Sequence, residues 1–484
     1  MFRSTKAEWP YRIAIMAILL ATPPLCGQTI DTIPMRAHTR FLASDLLEGR
    51  GTGTRGEHVA AAYIVSALMR IGAQPVDGKN FLQPIPLKRA IIDHAGTIAT
   101  LNGVSYRSDR DFVWNMGGRR ALRDFSGPLL YVGAGDSTAL RHASETRGRV
   151  VVMTEALGSA ASTYIPALIQ AGAAGLVLLV PQQRNFELYV RSRGDARYFT
   201  DVDVNDPVWQ ADLPVIIAGP ALSKAIIPAA PPAPFTTLVD TLRATFAAVL
   251  EEVRTANIAG VLRGSHAALA SEYVVFTAHY DHLGISTPDA RGDSIYNGFS
   301  DNAAGVAMLL AIGDVFRRQP AARSVLLLFF SGEERGLLGS TYFTAQPLIT
   351  LGQMKAVINL DGGAPPAAPV DWRVAGGAAS ALGEVARRAL ATRGWTARLG
   401  GASPNSDYWP FLERGVPAIF IIPGDRWEGV SAEQHAALNA RWNRYHRADD
   451  HYADDFPFIG LQRYAEVALM VGRAVANESG SVGR

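Results

Sequence analysis

The sequence predicts an α/β fold with a mostly parallel central sheet, helices on both faces, and a smaller β-rich domain inserted into it. Three observations carry that expectation. The apolar runs Tyr273 to Ala278, Ser324 to Phe330 and Ala356 to Leu360 are continuous rather than alternating, as strands covered on both faces are. Segments of helical spacing, Asn302 to Phe316 and Leu338 to Phe343, separate them. Each run also ends in polar side chains able to bind a metal: His279 and Asp281, Glu333 and Glu334, Asp361. An α/β enzyme places its site in this way, at the carboxyl ends of its strands.

Taken in order, residues 1–27 carry a basic flank, an apolar segment from Ile13 to Leu20, and then small and turn-forming residues. That is the layout of a secretory signal, and the apolar segment is short for a retained span. Export to the periplasm or the outside is expected. A membrane anchor, through an uncleaved segment or a lipid on Cys26, is the alternative. Pro34 to Leu47 suits a helix, GRGTGTRG from Gly49 to Gly56 is a turn-rich break, and Glu57 to Ile71 is a second helix stopped at Gly72. Phe81 to Leu87 begins a strand. Residues 28–107 are thus expected to form the first part of the main domain.

Between 108 and 255 the texture changes to short β-rich runs, PLLYVG, RVVVMTE, AAGLVLLVP and DLPVIIAG, with a small helix at Tyr164 to Ala171. No nucleophile, metal cluster or phosphate loop stands out there, so this stretch is expected to be a non-catalytic insertion, open to contact with another protein. Residues 256–480 then hold the remaining main-domain strands, with helices at Ser380 to Arg393 and Gly460 to Asn477 and a strand at Ala418 to Ile422. No other 20-residue apolar stretch has the pattern of a membrane helix.

The chain has 484 residues, 48% of them hydrophobic, which favours two domains with substantial cores. Its formal net charge is +2, and Arg3, Lys6 and Arg12 against Glu8 account for it. No basic run interleaved with aromatics appears, so a nucleic-acid partner has no support. Cys26 is the only cysteine, so no disulfide can form within the chain.

The residues able to carry chemistry lie around the strand ends. His279 and Asp281, two apart on a strand, point to one face, so one can ligate while the other orients it. A satisfied histidine beside a turn aspartate is the plain alternative, and His282 is taken as a neighbouring loop residue. Asp301 precedes a helix, where an N-cap role competes with a bridging one. Glu333 and Glu334 diverge as neighbours do, allowing one to hold metal and the other to move a proton. Asp361 ends the next run, and His446 in YHRADD supplies a late imidazole. The set His279, Asp301, Glu334, Asp361 and His446 mixes imidazole with carboxylate, as zinc prefers, and is large enough for two cations.

The strings AHYDHLG, GFSDNAAGV, SGEERGLLGS, NLDG, PNSDYWPF and YHRADD, in this order, resemble the secreted di-zinc aminopeptidase family, zinc exopeptidases whose fold is shared with glutamate carboxypeptidase and glutaminyl cyclase. LASDLLEGRGTGTRG resembles that family's amino-terminal segment, and residues 126–250 its inserted protease-associated domain. The resemblance implies two zinc ions, one held by His279 and Asp361 and the other by Glu334 and His446, with Asp301 bridging. It also implies Glu333 as general acid/base and Asp281 as the residue orienting His279. Ser300 departs from a frequent Asp, and Arg447 and Ala448 from a frequent Thr-Pro. Asp407 matches a recurring motif in which a structural role competes with substrate contact.

The expected activity is therefore zinc-dependent hydrolysis of the amino-terminal peptide bond of peptides through a metal-bridging water. A carboxypeptidase or dipeptidase of the same fold is the nearest alternative, ahead of a glutaminyl cyclase or an inactive binding protein.

Overall fold

The computed structural model describes residues 30–114, 122–134, 142–154, 160–193, 196–200 and 213–478. The expected export signal, with Cys26, lies outside them. Two large sheets organise the chain, one of ten strands and one of eight.

The centre of the larger sheet is parallel. Tyr273–His279 pairs with Ser324–Phe330 on one side and Met354–Asn359 on the other, and Met354–Asn359 pairs with Ala418–Pro423. Side chains alternate between two cores, as a period of two requires. Val274, Phe276 and Ala278, with Val325, Leu327 and Phe329, enter the core on one face. Tyr273 and Val275, with Leu326, Leu328 and Phe330, enter the other. Both faces being buried explains why these runs are apolar throughout.

The flanks are antiparallel, so the sheet is mixed rather than parallel from edge to edge. Asp371–Ala375 runs antiparallel to Ala418–Pro423, and Ala248–Leu262 runs antiparallel to both Ser324–Phe330 and Leu82–Ile92. The last pair forms a long ribbon that leads out of the main domain. Leu82–Ile92 carries Pro84 and Pro86, which offer no amide hydrogen, and the edge strand Ala196–Thr200 pairs only beyond them, over Leu87 to Ile91.

Beyond that ribbon lies the second sheet, with a core of its own. It starts at Ile98 and ends at Thr245. Ile98–Leu101 pairs with Thr236–Thr245, not with the main sheet. The insertion is not purely β, since helices Ala160–Ala171 and Gln183–Arg193 accompany parallel strands Val150–Thr154, Gly175–Leu179 and Val215–Ala218.

Two helices end or begin where side chains dictate. Thr32–Leu42 starts on Asp31, whose carboxylate accepts the Ile33 amide at 2.9 Å, and it stops at Leu42 rather than Leu47. The buried Arg50 guanidinium takes the Leu42 carbonyl there, satisfying one of the acceptors a helix end leaves open. Ala304–Arg318 is buried almost along its whole length. Together with the irregular turn Phe299–Ala303 it is the one helix among the described residues long and apolar enough to cross a membrane, and its apolar window is 94% buried inside the fold. Its composition is explained by packing under the sheet.

Candidate metal centre

Parallel register brings the three strand ends together. His279 lies opposite Phe330, after which Ser331 and Gly332 lead to Glu333, while Thr277 lies opposite Asn359, two residues before Asp361. Gly332 adopts φ +72°, a conformation that favours glycine and turns the chain so that Glu333 and Glu334 leave the strand end in different directions.

Asp301 sits at the middle of the cluster. The first-turn donor of its helix, the Gly305 amide, is satisfied by Asn302 Oδ1 at 3.0 Å, so the capping role does not fall to Asp301. Its carboxylate faces two imidazoles instead: Oδ1 lies 3.0 Å from His279 Nε2, and Oδ2 lies 2.9 Å from His446 Nε2. One oxygen toward each side is the arrangement a bridging carboxylate needs. The Asp301–Asn302 peptide bond is cis.

On the first side, His279 Nε2 is also 2.9 Å from Asp361 Oδ1. Asp361 is braced from behind, because Thr277 donates to Asn359, Asn359 Nδ2 donates to Ser406 Oγ at 2.6 Å, and Ser406 donates to Asp361 Oδ2. On the second side, Glu334 Oε2 is 3.3 Å from His446 Nε2 and Glu334 Oε1 is 2.6 Å from His282 Nδ1. His282, expected to be only a loop neighbour, is therefore part of the cluster and fully buried.

Asp281 holds His279 through its backbone. His279 Nδ1 is 3.2 Å from the Asp281 carbonyl, whereas the nearer carboxylate oxygen is 3.8 Å away. The Asp281 carboxylate instead accepts the Thr52 hydroxyl at 2.8 Å and the Glu333 amide at 3.2 Å, tying the two strand-end loops together. Ser300, the departure noted in the sequence, donates from its amide and its hydroxyl to Asp450 at 2.9 and 2.8 Å. The Asp301 loop is thus fastened to the segment that carries His446. Asp407 is fully buried, and burial first raises its pKa to about 7.

Arg50 is the residue of this cluster least evident from sequence. It is fully buried, and its guanidinium donates to the carbonyls of Tyr280 at 2.9 Å, Asn297 at 2.6 Å and Gly298 at 3.0 Å, as well as to Leu42. It clamps the His279 strand end to the loop leading into Asp301. Burial lowers its pKa to about 10, while Asp301, Asp281, Asp450 and Glu334 pull it back up, so it stays a cation at neutral pH. A signal existed in the glycine-flanked arginine of GRGTGTRG, where small neighbours let an arginine turn inward.

The electrostatics are those of a site arranged for cations. Burial alone would raise the carboxylates, yet His279 and His446 hold Asp301 well below its usual range, and His282 and His446 bring Glu334 down to about 2. The same contacts outweigh burial at His446 and lift it to about 10. Glu333 behaves oppositely, because burial first, and then Asp361, Asp407 and Glu334, push it well above the ordinary carboxylate value. At the mouth, Tyr445 stacks on His446 with ring centroids 3.9 Å apart, and burial plus the neighbouring acids keep its phenol protonated. Two sets of donors meet the requirement for metal: His282, Asp301, Glu334 and His446, and His279, Asp301 and Asp361, each with its ligand atoms within 4.8 Å of one another. Imidazole nitrogens converging with carboxylate oxygens, four on one side and three on the other, suit zinc.

Residues 257–471 match the family model described as Peptidase family M28. A probable zinc metalloprotease of Pyrenophora tritici-repentis is 29% identical over 113 residues, 23% of this chain and 25% of that protein. One from Pyrenophora teres f. teres is 28% identical over 113 residues, 23% of each chain. The chain therefore spans about a quarter of the length of the curated relatives it matches. An aminopeptidase from Aneurinibacillus sp. strain AM-1 superposes with a TM-score of 0.57 at 16% identity, covering 94% of this chain and 96% of that one. At that identity the likeness extends to the fold.

Proposed function

From the match of residues 257–471 to the Peptidase family M28 model, we propose that the protein is an exported di-zinc aminopeptidase. It would remove the first residue from peptides with a free amino terminus. The observation that carries this reading is the bridged cluster itself, with Asp301 presenting one oxygen to His279 and the other to His446.

His279, Asp301 and Asp361 would hold one zinc, and Asp301, Glu334 and His446 the other. Bound there, the ions supply Lewis acidity, which lowers the pKa of water and offsets charge on a carbonyl oxygen. Glu333 takes the proton from the attacking water and returns one to the leaving amine, a role suited to a carboxylate that burial first, and then neighbouring acids, hold above its usual pKa. The Tyr445 phenol stays protonated, stacked on His446.

The choice of the amino terminus rests on the resemblance of the motifs AHYDHLG, GFSDNAAGV and SGEERGLLGS to those of secreted di-zinc aminopeptidases. The amino-terminal segment with its basic flank and short apolar run supports export.

Peptide pairs that differ only in acetylation of the amino terminus or amidation of the carboxyl terminus test the reading. Acetylation is expected to abolish release of the first residue, amidation to leave it, and chelation to stop the reaction until zinc is restored. Release from the carboxyl end, or hydrolysis indifferent to chelation, would contradict it.

A further inference from the structure

Within the two-cation reading, on which this inference rests, the two sides of the cluster are not equivalent. We propose that His282 is a fourth protein donor to the cation shared by Asp301, Glu334 and His446. That half becomes a closed site that holds its ion tightly, and the half formed by His279, Asp301 and Asp361 is the one open to substrate.

The geometry of His282 points to this role. Its Nδ1 lies 2.6 Å from Glu334 Oε1 and 3.9 Å from Asp301 Oδ2. His446 Nε2 lies 2.9 Å from Asp301 Oδ2 and 3.3 Å from Glu334 Oε2. Tetrahedral zinc with bonds of about 2.0–2.1 Å separates its donors by roughly 3.3 Å, and these distances bracket that value. The ring has no freedom to leave. Its backbone amide donates to the Arg50 carbonyl at 3.1 Å, and it packs against Gly298 so closely that a Cβ there would come within 2.5 Å of His282 Cδ2.

The other nitrogen strengthens the argument. His282 Nε2 is buried and meets no hydrogen-bond partner among the described residues. The polar engagement of this imidazole is entirely with the cluster. With the proton on Nε2, the Nδ1 lone pair would face a carboxylate oxygen at hydrogen-bond distance, an arrangement that is favourable only with a cation between them. Four protein donors close a zinc site, whereas three leave the position that catalytic zinc uses. The asymmetry therefore divides the labour: an anchored ion toward His446, and an exchangeable, reactive one toward His279.

A hydrogen bond from His282 to Glu334 is the competing explanation, and His282→Asn separates the two. Asparagine places an amide nitrogen near the Nδ1 position and can donate to Glu334, but that nitrogen does not ligate zinc. The full chain, stripped of metal, is titrated with zinc against a competing chelator, and zinc-edge X-ray absorption is recorded at one equivalent. The wild type should bind its first equivalent at least about tenfold more tightly than its second, with two imidazoles around that first ion. His282→Ala and His282→Asn should both weaken it by more than about 100-fold, above the cost of losing an outer partner, and leave the weaker equivalent within about threefold. Wild-type affinity in the asparagine variant, or a single imidazole in the absorption spectrum, would overturn the proposal. Tight zinc uptake without peptide hydrolysis would leave it standing and overturn only the functional reading, and a wild type that takes up no zinc would overturn both.

Discussion

At the scale of single residues, neighbouring carboxylates are sorted into different jobs by what surrounds them. Glu334 meets two imidazoles and is held ionised, while Glu333, one residue earlier, meets burial and other acids and is pushed toward keeping a proton. On the proposed reading, the first ligates and the second shuttles a proton. Replacing Glu333 by Gln should leave the zinc content unchanged and lower kcat by about 10²–10⁴-fold, the span of general acid–base catalysis; metal analysis beside steady-state kinetics checks both halves. Farther back, Glu57 accepts the Gly53 amide at 2.6 Å and the Thr255 and Ser331 hydroxyls, and burial first, then Asp281, raises its pKa to about 8. Unfolded, it ionises near 4.5. The folded chain holds the extra proton across that window, so this contribution to stability is complete below about pH 4.5 and is lost as pH rises through about 8. Glu57→Gln cannot ionise, and its urea midpoint relative to the wild type should climb between about pH 5 and pH 8; parallel curves would show that Glu57 does not titrate there.

At the scale of elements, what was legible in the sequence is what hydrophobic period encodes. The strand Ser324–Phe330 and the closing helix Ile459–Asn477 fall where the apolar pattern puts them, because each buries a continuous surface. Less legible were features set by contacts distant in sequence. Arg50 takes the Leu42 carbonyl where the first helix stops, the turn at Asp301 is irregular, and the second sheet begins at Ile98 with a partner strand more than a hundred residues onward. His282 stayed hidden for a similar reason: beside a strand-end aspartate it resembles any loop histidine, and only the approach of Glu334 gives it a role. Close packing between elements has a measurable cost when disturbed. The helix Leu338–Ala345 presses Gly339 against the loop bearing Glu333, and a Cβ there would lie 2.2 Å from the Ser331 carbonyl and 2.5 Å from Asn257 Oδ1. Gly339→Ala should destabilise the chain by about 1–3 kcal/mol, as overpacking does, and denaturant unfolding compared with the wild type measures it.

At the scale of the whole molecule, the fold gathers distant residues at the carboxyl ends of the parallel strands in the centre of the larger sheet. Arg50 and Thr52 come from the amino-terminal segment, His446 and Asp450 from the carboxyl-terminal one, and the strand ends between them supply the remaining donors. The stretch expected to be an insertion also reaches this site. Its strand Ala196–Thr200 joins the main sheet, and Tyr198 stacks under Arg335, next to Glu334, at 5.1 Å. All of this converges on one spatial claim, that two cations share Asp301. Anomalous diffraction at the zinc edge from crystals of the full chain tests it most directly. Two peaks roughly 3.5–4 Å apart, one beside His279 and Asp361 and one beside Glu334 and His446, are the predicted result. A single peak, or peaks away from Asp301, would contradict it.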